Sequence, residues 1–359
     1  MIRAVGAISG TSMDAIDVAV LESDGLSRVQ MLAGGAAPYP PDLRAKLQAL
    51  IADPTRAETG DLDALEAEVT EAFAGAIREV LARRGFDLGT IDLVGLHGQT
   101  VFHRPERRIT RQLGNGAQLA RALGRPVVNR FRHADVAAGG QGAPLVPLYH
   151  AALATPLDKP VVVLNLGGVA NITYLDGETI LACDTGPASA LIDDAMMHHF
   201  GKPYDRDGRV ASQGMVDRHM VAEWLDHPFF SQPLPKSLDR NDFHRLTRTA
   251  RSLPPADEIA TLAAFTIAAT SAITRHLPQP ARQWLVTGGG RHNPVFMRGF
   301  AETLRVPVVP VESAGWDGDL LEAECFAYLA IRSRLGLPLS LPGTTGVPTP
   351  MPGGAFWPA

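Results

Sequence analysis

Cysteine is almost absent, with Cys183 and Cys325 the only two in 359 residues. That excludes a disulfide framework and a thiolate zinc site, both of which need several cysteines at short spacing. No uninterrupted apolar run reaches membrane-spanning length, so no transmembrane helix is expected, nor a signal peptide. An excess of one charge is also missing. Lys and Arg total 33 against 38 Asp and Glu, a net charge of −5. No nucleic-acid or membrane partner is therefore expected. The one basic run, Arg104 to Arg111, reads as a solvated loop or a small anion site. Common catalytic signatures are missing as well: no G-x-x-x-x-G-K-[ST], no H-E-x-x-H and no G-x-S-x-G. What remains is 45% hydrophobic and 20% charged. That is a globular composition, long enough for two domains, and a cytoplasmic location is expected.

Glycine, by contrast, is plentiful and falls where apolar runs end. Val5 to Leu21 reads as strand, tight polar turn, strand. In the turn, Gly10 permits close backbone approach. Thr11 and Ser12 supply hydroxyls, and Asp14 and Asp17 supply carboxylates able to reach a metal. Such a turn is either an ordinary hairpin or a phosphate-and-magnesium cradle. An amphipathic helix is expected from about Asp61 to Arg84, then a strand from Ile91 to Leu96 that ends in His97-Gly98-Gln99-Thr100. Gly114-Asn115-Gly116 reads as the cap of a short helix.

The second half repeats this order. Val161 to Leu166 is a continuous apolar strand, Gly167-Gly168 turns it, and Ile172 to Leu175 returns. A strand from Thr179 leads to Cys183-Asp184-Thr185-Gly186-Pro187, where Asp184 is either a helix N-cap or a catalytic base. A helix near Ala256 to His276 and a strand from Trp284 to Thr287 follow, the latter ending in Gly288-Gly289-Gly290. Two related α/β domains with a cleft between them are expected, residues 1–131 joined by part of the C-terminal tail, and residues 132–359. The Pro- and Gly-rich tail reads as an irregular surface segment whose Phe356-Trp357 pair docks onto the body. Adjacent Asp193-Asp194 and His198-His199 point to different helix sides and read as helix surface. Three Gly-rich turns at strand ends suit a nucleotide, because open α/β sheets bind ligands at the carboxyl ends of their strands.

Six stretches in order resemble the anhydro-N-acetylmuramic acid kinase family, within the superfamily of sugar kinases, heat-shock chaperones and actin. They are Gly10-Thr11-Ser12-Met13-Asp14-Ala15-Ile16-Asp17, Leu96 to Thr100, Asn129 to Arg132 with Asp135, Leu164 to Asn171, Asp184 to Pro187, and Thr287 to Gly290. The resemblance implies two duplicated RNase H-like domains, the actin-like ATPase fold, with ATP and Mg2+ in the interdomain cleft. It implies hydrolytic opening of 1,6-anhydro-N-acetylmuramic acid and phosphorylation of O6, with water as co-substrate, in peptidoglycan recycling. Asp184 matches the catalytic aspartate. Gly10 to Asp17 and Gly167-Gly168 would hold the phosphates, Asp14 and Asp17 the metal, and Gly288 to Gly290 the nucleoside. His97, Gln99, Arg130 and Asp135 are the expected sugar contacts, with Arg130 preferred over Arg132 for the lactyl carboxylate. A homodimer is also implied. Two other readings stay open on the residues: a conventional hydroxyl kinase of the superfamily, and an ATP-driven binding protein.

Overall fold

The computed structural model describes residues 1–10, 13–238, 243 and 246–359. They form two compact units, Met1–Thr155 with Leu320–Ala359, and Pro156–Asp319.

The first unit begins with an antiparallel meander, β1 (Ile2–Ser9), β2 (Ala15–Ser23) and β3 (Val29–Pro38). β4 (Leu93–Arg104) joins β1 in parallel, β5 (Ile109–Leu113) folds back on β4, and β6 (Val127–Asn129) adds in parallel on the far side of β4. Val5, Ala7, Val94 and Leu96 are fully buried, as befits central strands covered on both faces. One cover is the Asp63–Arg83 helix, whose Val69, Phe73, Ile77 and Val80 recur at helical spacing and are buried.

β4 is longer than the expected strand, and the His97 to Thr100 stretch lies inside it rather than beyond its end. Ala7 pairs with Leu96 and Ile8 with Gly98, so His97 is the extra residue of a bulge. Gly98 completes it at φ +76°, where a side chain would be strained.

The second unit repeats the path. β7 (Val161–Leu166), β8 (Val169–Asp176) and β9 (Thr179–Pro187) form an antiparallel meander. β10 (Gln283–Thr287) lies parallel to β7, and β11 (Val308–Pro310) parallel to β10. The order β11-β10-β7-β8-β9 is the counterpart of β6-β4-β1-β2-β3. Each unit is therefore RNase H-like, as the family resemblance implied. The Pro255–Ser271 helix runs through this unit's core with Ile259, Ala263 and Phe265 buried. With the turn that follows, it is long and apolar enough to cross a membrane by composition. However, 67% of its most apolar window is buried inside the protein.

The chain then returns to the first unit. The Leu321–Arg334 helix is buried almost throughout and lies on β1 and β4 at backbone contact. A Cβ on Gly6 would overlap the Ala323 carbonyl, and one on Gly95 the Phe326 carbonyl. Gly95→Ala is expected to destabilise the protein by about 3 kcal/mol, because neither backbone can move aside. A guanidinium unfolding midpoint equal to that of the parent would refute this close approach. The tail ends in β12 (Ala355–Trp357), antiparallel to β6, with Trp357 Nε1 donating to Asn129 Oδ1 at 2.9 Å. Trp357 thus docks, whereas Phe356 stays 41% exposed beneath Arg334.

The units divide at 155/156 and 319/320, not at 131/132. Residues 132–155 belong to the first unit because buried bonds tie them to its C-terminal return. Tyr149 Oη donates to Glu324 Oε2 at 2.7 Å, and Asp135 is bonded to Ser340 and Thr345.

Candidate active site

The β1–β2 turn is held from below. Gly10 O accepts from the Met13 amide at 3.2 Å and from Gln99 Nε2 at 3.4 Å. Thr11 and Ser12, expected to supply hydroxyls here, lie outside the described residues. Met13, at φ 55°, and Ile16 both bury their side chains in the core, and Ala15 opens β2. These three residues therefore offer a ligand only backbone. Asp14 is exposed and accepts from Arg44 Nη2 at 2.6 Å, in a surface ion pair. Asp17 is half-buried on β2, opposite Ile8.

Gln99 is fully buried. Its Nε2 also donates to Thr100 O at 3.2 Å, and its Oε1 accepts from Tyr39 Oη at 3.4 Å. Burial pushes the Tyr39 phenol up to about 12, so it stays a donor. Gln99 thus braces the turn and does not present its amide to a sugar.

His97 is likewise occupied. Its Nε2 accepts from Arg132 Nε at 3.0 Å, which makes Nδ1 the protonated nitrogen that donates to Gly98 O at 2.9 Å. Burial, and then the Arg132 charge, hold its pKa well below the ordinary value, so the ring is neutral. Both ring nitrogens are engaged within the protein, where a direct sugar contact was expected. His97 aims Arg132.

The guanidinium of Arg132 is fixed on three sides. Besides His97, its Nη1 donates to Gly142 O at 2.7 Å, and it lies 6.0 Å from the centre of the Phe326 ring. Among the described residues, Nη2 has no hydrogen-bond partner. Burial lowers its pKa, and the charge of Glu322 most strongly opposes that shift. Arg130, the expected carboxylate binder, is exposed at φ 57°.

Asp135 is 2% exposed and its carboxylate is fully engaged. Oδ1 accepts from the Gly142 amide at 2.6 Å. Oδ2 accepts from Ser340 Oγ and from Thr345 Oγ1, the latter at 2.6 Å. It fixes a loop, with both oxygens bonded inside the protein. The peptide of Gly142 is thus held through its amide by Asp135 and through its carbonyl by Arg132. Sequence reasoning missed this Gly139-to-Pro144 loop, although its density of turn residues marks it.

In the second unit, the β7–β8 turn directs its carbonyls at the start of the Ser189–Phe200 helix. Gly167 O accepts from Ser189 Oγ at 2.8 Å, and Gly168 O from the Ala188 amide at 3.0 Å. A Cβ on Gly167 would meet nothing closer than 3.7 Å, an ordinary van der Waals contact, so this backbone is not tightly packed. Beyond β10, a Cβ on Gly288 would overlap Asn165 Oδ1, and one on Gly290 would come within 2.5 Å of the Leu166 Cβ. These two glycines pack on the end of β7. Gly289 between them faces open space.

Asp184 sits within β9, opposite Asn171 and beside a bulge at Thr185. The helix that follows starts at Ser189 behind Ala188, without a side-chain cap, so Asp184 is not its N-cap. Its amide donates to Lys236 O at 2.9 Å, and its Oδ2 accepts from the Leu238 amide at 2.7 Å. Among the described residues, Oδ1 has no hydrogen-bond partner. Burial pushes the carboxyl up to about 6, against the pull of the Leu238 amide. Its neighbour Cys183 is buried, with its thiol pushed up to about 12, and is no nucleophile. His199 is not helix surface, since its Nε2 lies 2.7 Å from Oε2 of the buried Glu258. No group of three or more His, Cys, Asp or Glu suited to a metal occurs among the described residues.

Two RNase H-like units with glycine turns at their strand ends define a protein of the actin-like ATPase fold. Residues 2–359 match the family model for anhydro-N-acetylmuramic acid kinase, and the chain belongs to that family. Relatives of that name include those of Nitrobacter winogradskyi, 49% identical over 99% of both chains, and Rhodopseudomonas palustris, 48% identical over 99% of this chain and 98% of that protein. The crystal structure of component A of the Acidaminococcus fermentans (R)-2-hydroxyglutaryl-CoA dehydratase overlaps 92% of this chain and 99% of its own. Its TM-score is 0.49 at 11% identity.

Proposed function

We propose that the protein uses ATP to open the 1,6-anhydro ring of anhydro-N-acetylmuramic acid with water and to phosphorylate O6, giving N-acetylmuramic acid 6-phosphate. The observation that carries this reading is Asp184, a carboxylate clamped through one oxygen, with the other unbonded among the described residues and a pKa of about 6. A general base works best when its pKa lies close to the working pH. Asp184 takes a proton from water as the water oxygen bonds to the anomeric carbon. The bond from that carbon to O6 breaks, and O6 leaves with the electron pair. O6 then bonds to the γ-phosphorus as the bond to ADP breaks. One base therefore serves both hydrolysis and transfer.

The phosphates are assigned to the backbone of Gly10 to Asp17 and of Gly167-Gly168, and the nucleoside to Gly289 between its packed neighbours Gly288 and Gly290. Arg132, in place of Arg130, takes the lactyl carboxylate through Nη2, which is unbonded among the described residues. Magnesium fits the residues present, because that ion keeps several waters and needs only one or two carboxylates besides phosphate oxygens. Asp17 would hold it, directly or through water, joined by Asp14 once the Arg44 pair opens. The ion would supply neutralisation of charge on the transferring phosphoryl group. The reading extends to a cytoplasmic homodimer acting in peptidoglycan recycling.

Incubation with ATP, magnesium and the anhydro sugar should give a product heavier by one phosphate and one water, with solvent 18O at the anomeric carbon. A product heavier by phosphate alone would identify a conventional hydroxyl kinase instead. ATP hydrolysis that no sugar stimulates would overturn both.

A further inference from the structure

The side chain of Arg291 in the second unit is only 3% exposed, although it is paired with two carboxylates, and the proposed reaction does not use it. Its three nitrogens bond three different places. Nη1 donates to Gly288 O at 3.1 Å, Nε to Glu312 Oε1 at 2.8 Å, and Nη2 to Asp319 Oδ1 at 2.7 Å. The Arg291 amide also donates to Gly288 O, at 3.2 Å. The opposing loop comes so close that a Cβ on Gly318 would lie 2.6 Å from Nε. Thr287 Oγ1 adds a bond to Gly318 O at 3.2 Å. The guanidinium is thus a rivet between the turn after β10 and the loop that carries Glu312, Gly318 and Asp319. With every nitrogen engaged, it is not a phosphate ligand.

Three successive glycines are the least ordered backbone a turn can have. Left free, they would lose conformational entropy each time a ligand bound, and affinity would fall accordingly. We propose that Arg291 is a positioning residue that pre-orders the Gly288–Gly290 turn for the nucleoside of the bound nucleotide. This rests on the assignment of that turn to the nucleotide.

The test is titration of the full-length protein with ATP and magnesium, in the absence of sugar, alongside steady-state kinetics. Arg291→Met is expected to raise the nucleotide Kd and KM about tenfold. The sugar KM and kcat should stay within twofold, a split that general loosening of the fold would not give. Glu312 and Asp319 are 45% and 75% exposed, so E312A/D319A removes both acceptors and cuts the rivet from its solvent side. It should reproduce the effect even if Arg291→Met does not fold. Parent-like nucleotide affinity in the double variant, or in a folded Arg291→Met, would overturn the proposal alone. Failure of the parent protein to bind ATP would overturn the nucleotide assignment itself.

Discussion

Asp184→Asn is expected to lower kcat about 10³-fold while leaving nucleotide affinity within twofold of the parent. The amide oxygen of asparagine can still accept from the Leu238 amide, so the strand keeps its place. The substitution removes proton acceptance and little else. In the parent, the base works only when ionised, so kcat/KM should fall tenfold per pH unit below about 6, where Asp184 takes up its proton. Stability moves the other way. The folded carboxyl binds its proton more tightly than the unfolded one, whose pKa is near the ordinary aspartate value of 3.8. Its ionisation therefore costs folded stability, a cost that grows as pH rises from about 4 through 6 and is fully present above. The asparagine variant, free of that cost, should melt at the parent temperature or slightly higher at neutral pH. An inactive variant that melts well below the parent would point to a structural role, and an active one would remove Asp184 from the reaction.

Arg132→Met is expected to reduce kcat/KM for the anhydro sugar by about 10² to 10³, the usual loss when one partner of a desolvated charge pair is cut away. Most of that loss should appear in the sugar KM, with the KM for ATP near the parent value. Arg132→Lys should recover only part, since an ammonium cannot bond His97, Gly142 and a carboxylate at fixed angles. Arg130→Met should change the same constants by less than threefold. A sugar analogue without the lactyl acid should be indifferent to Arg132. If Arg130→Met proves the damaging change, the carboxylate belongs to Arg130 after all.

The two hairpins and their glycine turns were legible because β1 and β7 are continuous apolar runs with glycine-bearing turns at their ends. The matching order of the two halves followed from the same pattern. Asp184 was ambiguous because Asp-Thr-Gly-Pro is also how a helix begins. Only the bulge at Thr185, which carries β9 on to Pro187, separates the two. His97, Gln99 and Asp135 stand out in the sequence as polar residues with a task, and the structure engages all three in internal bracing. Their partners lie far away in the chain: Arg132 for His97, Tyr39 for Gln99, and Ser340 and Thr345 for Asp135. A polar side chain whose partner is 35 or 210 residues distant looks, in sequence, like one still waiting for a ligand. The 131/132 boundary failed for the same reason. A proline-rich tail shows no periodicity, and what seats it is pairing with β6 and the clasp of Asp135.

The helix that overlies Gly6 and Gly95 is supplied by residues 321–334, near the end of the chain. β1 and β4 are made well before the 321–334 helix that lies against Gly6 and Gly95. The second unit, uninterrupted from 156 to 319, has its whole core in hand earlier. Completion of the first unit's sheet therefore waits for residues 321–334, while the second unit is one continuous segment.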